Sequence, residues 1–351
     1  MTADGEKLTA DSQLGVFLLK KSKIVGGLAI TAVFLLLAVR NVEWSQVGVS
    51  LASVRYVLIV PALLCTFTGY LLRAVRWQRI LVSTKNVSLR TLFPTLIIGF
   101  AANNVMPARV GEVVRAYELG RREEVSKTLG LATIFVERVF DGLTLILIMA
   151  LVLIFSPLSR DMPGGEVRAV EYLSYALFFG AALSIVVLIL QESLVLRLIN
   201  VAVKPLPERW GGFFNRAATS FIMGLQALRG KRSLAIIAGV SLAVWSLEAG
   251  SYYLILRAFD LPLTGDQTIS AAAFLLVFVN LGIMVPSAPG YVGTYQFFAK
   301  MALGAFGVGG SIGFSVAIVS HVMQYVLVTA LGLAFFVKQN LSFAVMREAA
   351  D

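Results

Sequence analysis

Between Phe100 and Gly120 a polar stretch broken by proline and glycine, FAANNVMPARVGEVVRAYELG, interrupts long apolar sequence. A second, FVNLGIMVPSAPGYVGTYQFF, runs from Phe278 to Phe298. Pro107 and Gly111 recur at an offset of 179 as Pro286 and Gly290. Proline removes a backbone donor and glycine permits positive φ, so a helix breaks there. A bilayer accepts such breaks only where protein or a water-filled cavity supports the freed backbone groups. Paired breaks in corresponding halves of an apolar chain point to a transporter-type site.

The rest of the chain is apolar enough to make the bilayer the right frame. Hydrophobic residues are 58% and charged residues 14% of 351, with a mean hydropathy of +0.83. Soluble domains carry roughly 45–50% apolar and about 25% charged residues. The first apolar run, Ile24–Val39, continues into Arg40-Asn41-Val42-Glu43 without a small-x-small cleavage site, and so reads as a retained helix. The one cysteine, Cys65, excludes an intrachain disulfide. A net charge of +10 fits cytoplasmic-loop bias and anionic lipid, with no nucleic-acid partner expected.

A spanning helix needs about 20 apolar residues. Six runs meet or approach this: Ile24–Val39, Tyr56–Leu72, Leu129–Pro157, Tyr172–Leu190, Ser233–Leu256 and Ser311–Val337. Thr91–Pro107 and Ile269–Pro286 end in the breaks and read as re-entrant or discontinuous segments. The expected class is an all-α polytopic membrane protein with about six full transmembrane helices plus two re-entrant or broken segments. Loop Arg73–Arg90 carries five Lys/Arg and no acid, and Glu192–Arg232 seven against two, which places both in the cytoplasm. Arg40–Arg55, Ser159–Glu171 and Arg257–Asp266 are the expected outer loops. The first break then opens from the cytoplasm and the second from the opposite side, an inverted-topology repeat.

The domain reading has five parts. A cytoplasmic N-terminal tail (1–23) precedes a first membrane half (24–191) containing broken segment 91–118. A cytoplasmic amphipathic linker (192–232) joins it to a second half (233–337) containing broken segment 269–298. A cytoplasmic tail (338–351) follows.

Three constellations could carry chemistry. The first is Asn103, Asn104, Pro107, Arg109, Gly111, Glu112 and Arg115. A helix starting after the break would present backbone N–H groups to a phosphate, and Arg109 could grip it bidentately. Glu112 and Arg115 could pair at three-residue spacing. Arg121 and Arg122 beyond them read as a solvated basic run. The second constellation is Glu137, Arg138 and Asp141. The two acids share a helix face and need an external cation, for which Arg73, Arg76 and Arg109 are candidates. An ordinary interfacial anchor is the alternative. The third is neutral: Pro286, Pro289, Gly290, Gly293, Thr294 and Gln296, either a hinge or a turn between packed helices. Glu248 and His321 are lone polar residues in apolar helices, and such a histidine is more often a satisfied core residue than a relay. With one histidine, one cysteine and no Walker loop, neither a metal site, a cofactor nor an ATPase module is expected.

At these residues the chain resembles the lysylphosphatidylglycerol synthase transmembrane-region family, the flippase-type membrane domain of multiple peptide resistance factor, which also occurs in stand-alone form. The family's N-x-x-P-x-R-x-G-E-x-x-R segment stands here as Asn104 through Arg115. Its E-R-x-x-D helix is Glu137-Arg138…Asp141, and its P-x-P-G-G-x-G turn is Pro286 through Gly293. Tyr291 replaces the second glycine of that turn, and Gln296 stands where a glutamate is expected. The resemblance covers nearly the whole chain and implies a stand-alone, non-enzymatic lipid flippase or scramblase of the cytoplasmic membrane, with both termini cytoplasmic.

Its implied cargo is an aminoacylated phospholipid or a polyprenyl-phosphate-linked lipid. Arg109 and Arg115 would hold the phosphate, Glu112, Glu137 and Asp141 would balance or gate it, and Asn103 and Asn104 would line the path. A membrane-embedded lipid-modifying enzyme and a non-transporting subunit of an envelope lipid or glycan synthesis system are the alternatives. A homo-oligomer and a partner lipid-modifying enzyme are compatible with each.

Overall fold

The computed structural model describes residues 26–82, 84–106, 110–155, 231–285, 287–339 and 341; among them there is no strand. Helix α1 (Gly26–Val39) meets α2 (Trp44–Ala52) at 80°. The corner is held by Asn41 at φ 58° and by the Glu43 N–H, which donates to Ser311 Oγ at 3.0 Å. The expected outer loop Arg40–Arg55 is thus partly helical. Val47 of α2 packs with Ala38 and Phe314, while Trp44 and Val49 stay exposed, the pattern of a helix lying along an interface.

Helix α3 (Ile59–Leu81) is entered through a 3-10 turn, Tyr56–Leu58, and carries Pro61 in its first turn, where the missing N–H costs no hydrogen bond. It runs past the expected end at Leu72. This corrects the reading of Arg73–Arg90 as a charged loop, because Arg73 and Arg76 are helical and buried, Arg76 fully. Helix α4 (Leu89–Val105) tolerates Pro94, while Thr95 Oγ1 donates back to the Thr91 carbonyl at 2.8 Å. The chain then breaks before α5 (Gly111–Glu123), which closes on Glu124 in the left-handed region at φ 53°. Ser126 Oγ accepts the Leu129 N–H at the start of α6 (Lys127–Phe155).

The second unit repeats this order. Helix α7 (Lys231–Ala258) leads to α8 (Gly265–Met284), opened by a capping box in which Thr264 and Gln267 exchange backbone hydrogen bonds. A break containing the 3-10 turn Pro289–Tyr291 separates α8 from α9 (Thr294–Gly304), and α10 (Gly310–Lys338) follows. Helices α3 to α6 have 23, 17, 13 and 29 residues; α7 to α10 have 28, 20, 11 and 29.

The packing follows the same exchange. Helix α3 lies on α7, α4 on α10 as α8 on α6, and each short helix sits between its own two neighbours. Arg55 donates to Asp260 at 2.6 Å and its N–H to the Ala258 carbonyl, which brings the start of α3 and the end of α7 to one end of the bundle.

Among the described residues, four stretches are long and apolar enough to cross a membrane: Tyr56–Leu81, Arg232–Ala258, Gly265–Met284 and Gly310–Lys338. The bent α1–α2 pair makes a fifth. Gly265–Met284, expected to be re-entrant with Ile269–Pro286, is a continuous helix of about 30 Å up to its break. The expected span Tyr172–Leu190, nearly all of linker 192–232, the N-terminal tail and most of the C-terminal tail lie outside the described residues, as do Pro107, Arg109 and Pro286.

Candidate functional site

The two breaks meet. A Cβ built on Gly290 would lie 3.4 Å from the Asn104 carbonyl oxygen and 2.9 Å from the Tyr325 ring. At the first break, α4 and α5 touch backbone to backbone: a Cβ on Gly111 would sit 1.9 Å from the Gly99 carbonyl oxygen, and one on Gly99 would strike Arg115 Cγ at 2.2 Å. Asn103 Oδ1 accepts the Gly111 N–H at 2.8 Å. One N–H of the α5 terminus is therefore already taken by the protein rather than offered to a ligand.

The charges of the first unit form a buried network. Asp141 accepts from Arg76 at 2.7 Å and from Trp245 Nε1 at 3.0 Å. Arg138 and Arg73 stand 3.2 and 3.7 Å from its other oxygen. Arg76 also donates to Ser241 Oγ, so one carboxylate ties α3, α6 and α7 together. Of the cations named for the two acids, Arg73 and Arg76 thus do serve Asp141. Arg115 pairs with Glu137 at 2.9 Å and lies over the Trp77 ring, 4.0 Å from its centroid. This corrects the expected Glu112–Arg115 pair: facing inward, the guanidinium meets α6 instead. Arg121 and Arg122 are likewise not a free basic run, since both clasp the buried Glu118 carboxylate.

The second unit is organised without charge. Gln296 Oε1 accepts the Gly293 N–H at 2.7 Å, which turns its Nε2 toward His321 Nδ1 at 2.9 Å. Nδ1 is then the acceptor and Nε2 carries the hydrogen, placed to donate to the backbone of Gly290. His321 also stacks on Tyr295, centroids 4.2 Å apart. Ser320 donates to the Val316 carbonyl, so it accepts from Tyr295, and Tyr295 in turn accepts from Tyr252. The turn is built from left-handed residues: Gly290 at φ 75°, Tyr291 at φ 57°, Gly293 at φ 88°. Thr31 of α1 accepts the Ala288 N–H at 2.7 Å, and Thr294 Oγ1 donates to the Tyr291 carbonyl.

Between the units lies a cavity of about 160 Å³. Of the residues singled out in the sequence, Asn103, Asn104, Glu112, Arg138, Arg73, Glu248 and His321 line it; Arg115, Glu137, Asp141, Thr294 and Gln296 do not. The second group supports the first from behind. Aromatic and amide residues complete the wall, among them Tyr70, Trp245, Tyr252, Asn280, Tyr291, Gln324 and Tyr325, which the sequence reading missed. Their signal was the helical spacing of polar-tipped residues in apolar helices: Trp245, Glu248 and Tyr252, then His321, Gln324 and Tyr325.

Arg73 carries its guanidinium 4.6 Å from the Trp245 ring centroid. The Nε groups of Arg73 and Arg138 are buried with no acceptor among the described residues. Two arginines thus border the cavity, and both also pair with Asp141 behind it. No group of three His, Cys, Asp or Glu side chains among the described residues could hold a metal ion.

Residues 24–332 match the family described as the lysylphosphatidylglycerol synthase TM region. The chain belongs to that family. Among its relatives is the glycosyltransferase AglD of Haloferax volcanii, 24% identical over 276 residues, which are 72% of this chain and 44% of AglD. The match thus takes in less than half of AglD. UPF0104 membrane proteins of Methanocaldococcus jannaschii (25% identical; 67% of this chain, 92% of the relative) and Methanothermobacter thermautotrophicus (28%; 68% and 71%) are also similar.

Proposed function

We propose that this family member is a lipid flippase or scramblase that carries a phosphate-containing lipid across the cell membrane. The observation that carries the reading is the pair of cavity-lining arginines, Arg73 and Arg138, each with a buried Nε lacking an acceptor, at the point where two broken segments meet. A phosphate in the cavity would meet the two arginine side chains that border it, and guanidinium–phosphate hydrogen bonds are among the strong ones. In this reading α3–α6 and α7–α10 are the two units of an inverted-topology repeat, and the turns at Pro107, Gly111, Pro286, Pro289, Gly290 and Gly293 are its hinges. Both termini then lie in the cytoplasm. Arg109 is retained from the sequence as a further headgroup contact, and Arg115 becomes a positioning residue through Glu137.

The cargo is an aminoacylated phospholipid or a polyprenyl-phosphate-linked lipid. The similarity to AglD, a protein named as a glycosyltransferase, supports a role beside a lipid- or glycan-modifying enzyme.

The test is reconstitution of the purified chain into liposomes with fluorescent phosphatidylglycerol or a fluorescent polyprenyl phosphate, followed by reduction of the outer-leaflet dye. The protein should make inner-leaflet dye accessible, and Arg138→Gln should slow this about tenfold, the worth of one charge-assisted hydrogen bond. Rates equal to those of protein-free liposomes for both lipids would sink the translocase reading and favour a non-transporting subunit.

A further inference from the structure

Glu248 is the one cavity-lining carboxyl without local support. It lies inside α7, is 8% exposed, and makes no hydrogen bond or ion pair among the described residues. Glu112 differs, because it sits in the first turn of α5, where the backbone N–H groups favour a negative charge. Asp141 and Glu137 differ too, each being matched to guanidinium groups. An ionised carboxylate in an apolar wall without a partner is costly, and the group gains by taking up a proton or a cation.

What surrounds Glu248 narrows the choice to a proton. Helix α3 contributes Cys65, Tyr70 and Arg73, and α6 contributes Arg138. Besides Tyr252 on its own helix, the 3-10 turn and α9 bring Tyr291 and Tyr295, while α10 brings His321 and Tyr325. Helices α4 and α8 add only amides among polar groups, and α5 adds Glu112. Two guanidinium groups in the same cavity repel a metal cation. His321 has its Nδ1 lone pair occupied by the Gln296 amide N–H, so it is poorly placed to gain a proton.

We propose that the cavity takes up a proton together with an anionic headgroup, and that Glu248 is the group that carries it. The inference rests on the phosphate reading above. A phosphate held by Arg73 and Arg138 shares the cavity with the Glu248 carboxyl, and two negative charges at that range disfavour one another. Binding the anion therefore favours the protonated carboxyl, and protonation favours binding the anion, by the same factor. Lipid movement then runs with proton movement, which supplies an energy source to a site without a nucleotide motif.

The experiment uses the full chain in detergent and glycerophosphoglycerol, a soluble phosphodiester that has no proton to exchange near neutrality. Calorimetric titration in buffers of different ionisation enthalpy reads the protons taken up per ligand bound. The wild type should take up about half a proton per ligand near the midpoint and bind about tenfold more tightly at about pH 6 than at about pH 8. Glu248→Gln should bind with no uptake and no pH dependence, whereas Glu248→Asp and His321→Gln should still take up the proton. Binding by the wild type without proton uptake overturns the coupling and leaves the headgroup site standing.

Failure of the wild type to bind any phosphodiester or polyprenyl phosphate overturns the headgroup site and the coupling with it. An infrared difference spectrum on a pH step provides a reading independent of ligand. It should show a carboxylic-acid C=O band that Glu248→Gln removes, and a band unchanged in that variant would assign the proton elsewhere.

Discussion

The two breaks do the same geometric work with opposite chemistry. The first is closed by charge: four guanidinium groups and two carboxylates, all on α3, α5 and α6, are interlocked behind it. The second is closed by glycines, one amide and a ladder of hydroxyls, and leans on α1 through the Thr31 hydrogen bond. Ion pairs in low dielectric are costly to separate, whereas neutral hydrogen bonds exchange partners at a net cost of about 1 kcal/mol. In the proposed translocation, the contrast makes the charge-tied helices α3, α5, α6 and α7 the fixed wall of the cavity and the neutral second break with α9 and α10 the part that rearranges.

The largest test of that contrast is Asp141→Ala. It strands three guanidinium groups on two helices, and breaking a buried pair costs about 3–5 kcal/mol. Thermal unfolding in detergent should fall sharply, or folded protein should be lost. Gln296→Ala on the neutral side removes the hydrogen bonds to Gly293 and His321 and should cost about 1–2 kcal/mol. Equal losses from the two would dissolve the distinction between a fixed and a mobile unit.

Next come the glycines. Gly111→Ala drives a methyl into the Gly99 carbonyl, and Gly293→Ala combines φ 88° with a contact of 2.9 Å to the α1 backbone at Thr31 and Leu35. Each should cost about 1–3 kcal/mol. Gly304→Ala, with nothing within 4 Å of its Cβ, is the neutral control. If unfolding of Gly111→Ala matches that control, the close approach of α4 and α5 is not a constraint.

How much of this was legible beforehand follows from the same contrast. The proline and glycine breaks mark themselves, because backbone limits act within a few residues, and the chain leaves its helices at both: after Val105 and after Met284. Charges in apolar sequence also announce themselves, so Glu112, Arg138 and Asp141 were singled out. Their partners were harder to assign. Helical spacing suggested Glu112 for Arg115, but the burial of α5 against α6 turns that guanidinium to Glu137. The end of α3 was misplaced because an arginine in an apolar run reads as the start of a loop. Only the tertiary fold shows that Asp141 neutralises Arg73 and Arg76 inside a continuing helix. The aromatic wall was missed because a tyrosine in a membrane helix is ordinary until four helices bring several of them to one cavity.

Tyr291 carries a smaller prediction that sharpens the mobile side. It occupies the left-handed region at φ 57°, where a side chain costs roughly 1–2 kcal/mol, and its ring lines the cavity. Glycine, the residue this turn has in the family pattern, fits that backbone without strain. Tyr291→Gly should leave the thermal midpoint unchanged or slightly raised while slowing lipid movement in liposomes. A variant that moves lipid at the wild-type rate would show that the strained tyrosine contributes nothing to the cavity.

The smallest effect lies at the outer end of the charged unit, where α5 leaves the apolar bundle. Burial pushes the Glu118 carboxyl up, but hydrogen bonds and charge from Arg121 and Arg122 outweigh it and hold the group below the usual carboxylate range. A carboxyl held down in the folded state contributes stability that is complete above its unfolded value near pH 4.5. That contribution is lost as pH falls through the lower folded value. The wild-type midpoint should therefore drop between about pH 5 and about pH 3, and Glu118→Gln should drop less over the same window. Arg121 is nearly half exposed, so added salt should shrink the difference between the two chains. The Asp141 pairs, enclosed by protein, should show no such salt response. A Glu118→Gln profile parallel to the wild type in both acid and salt would place the ends of the charged unit outside its network and confine the fixed wall to α3, α6 and α7.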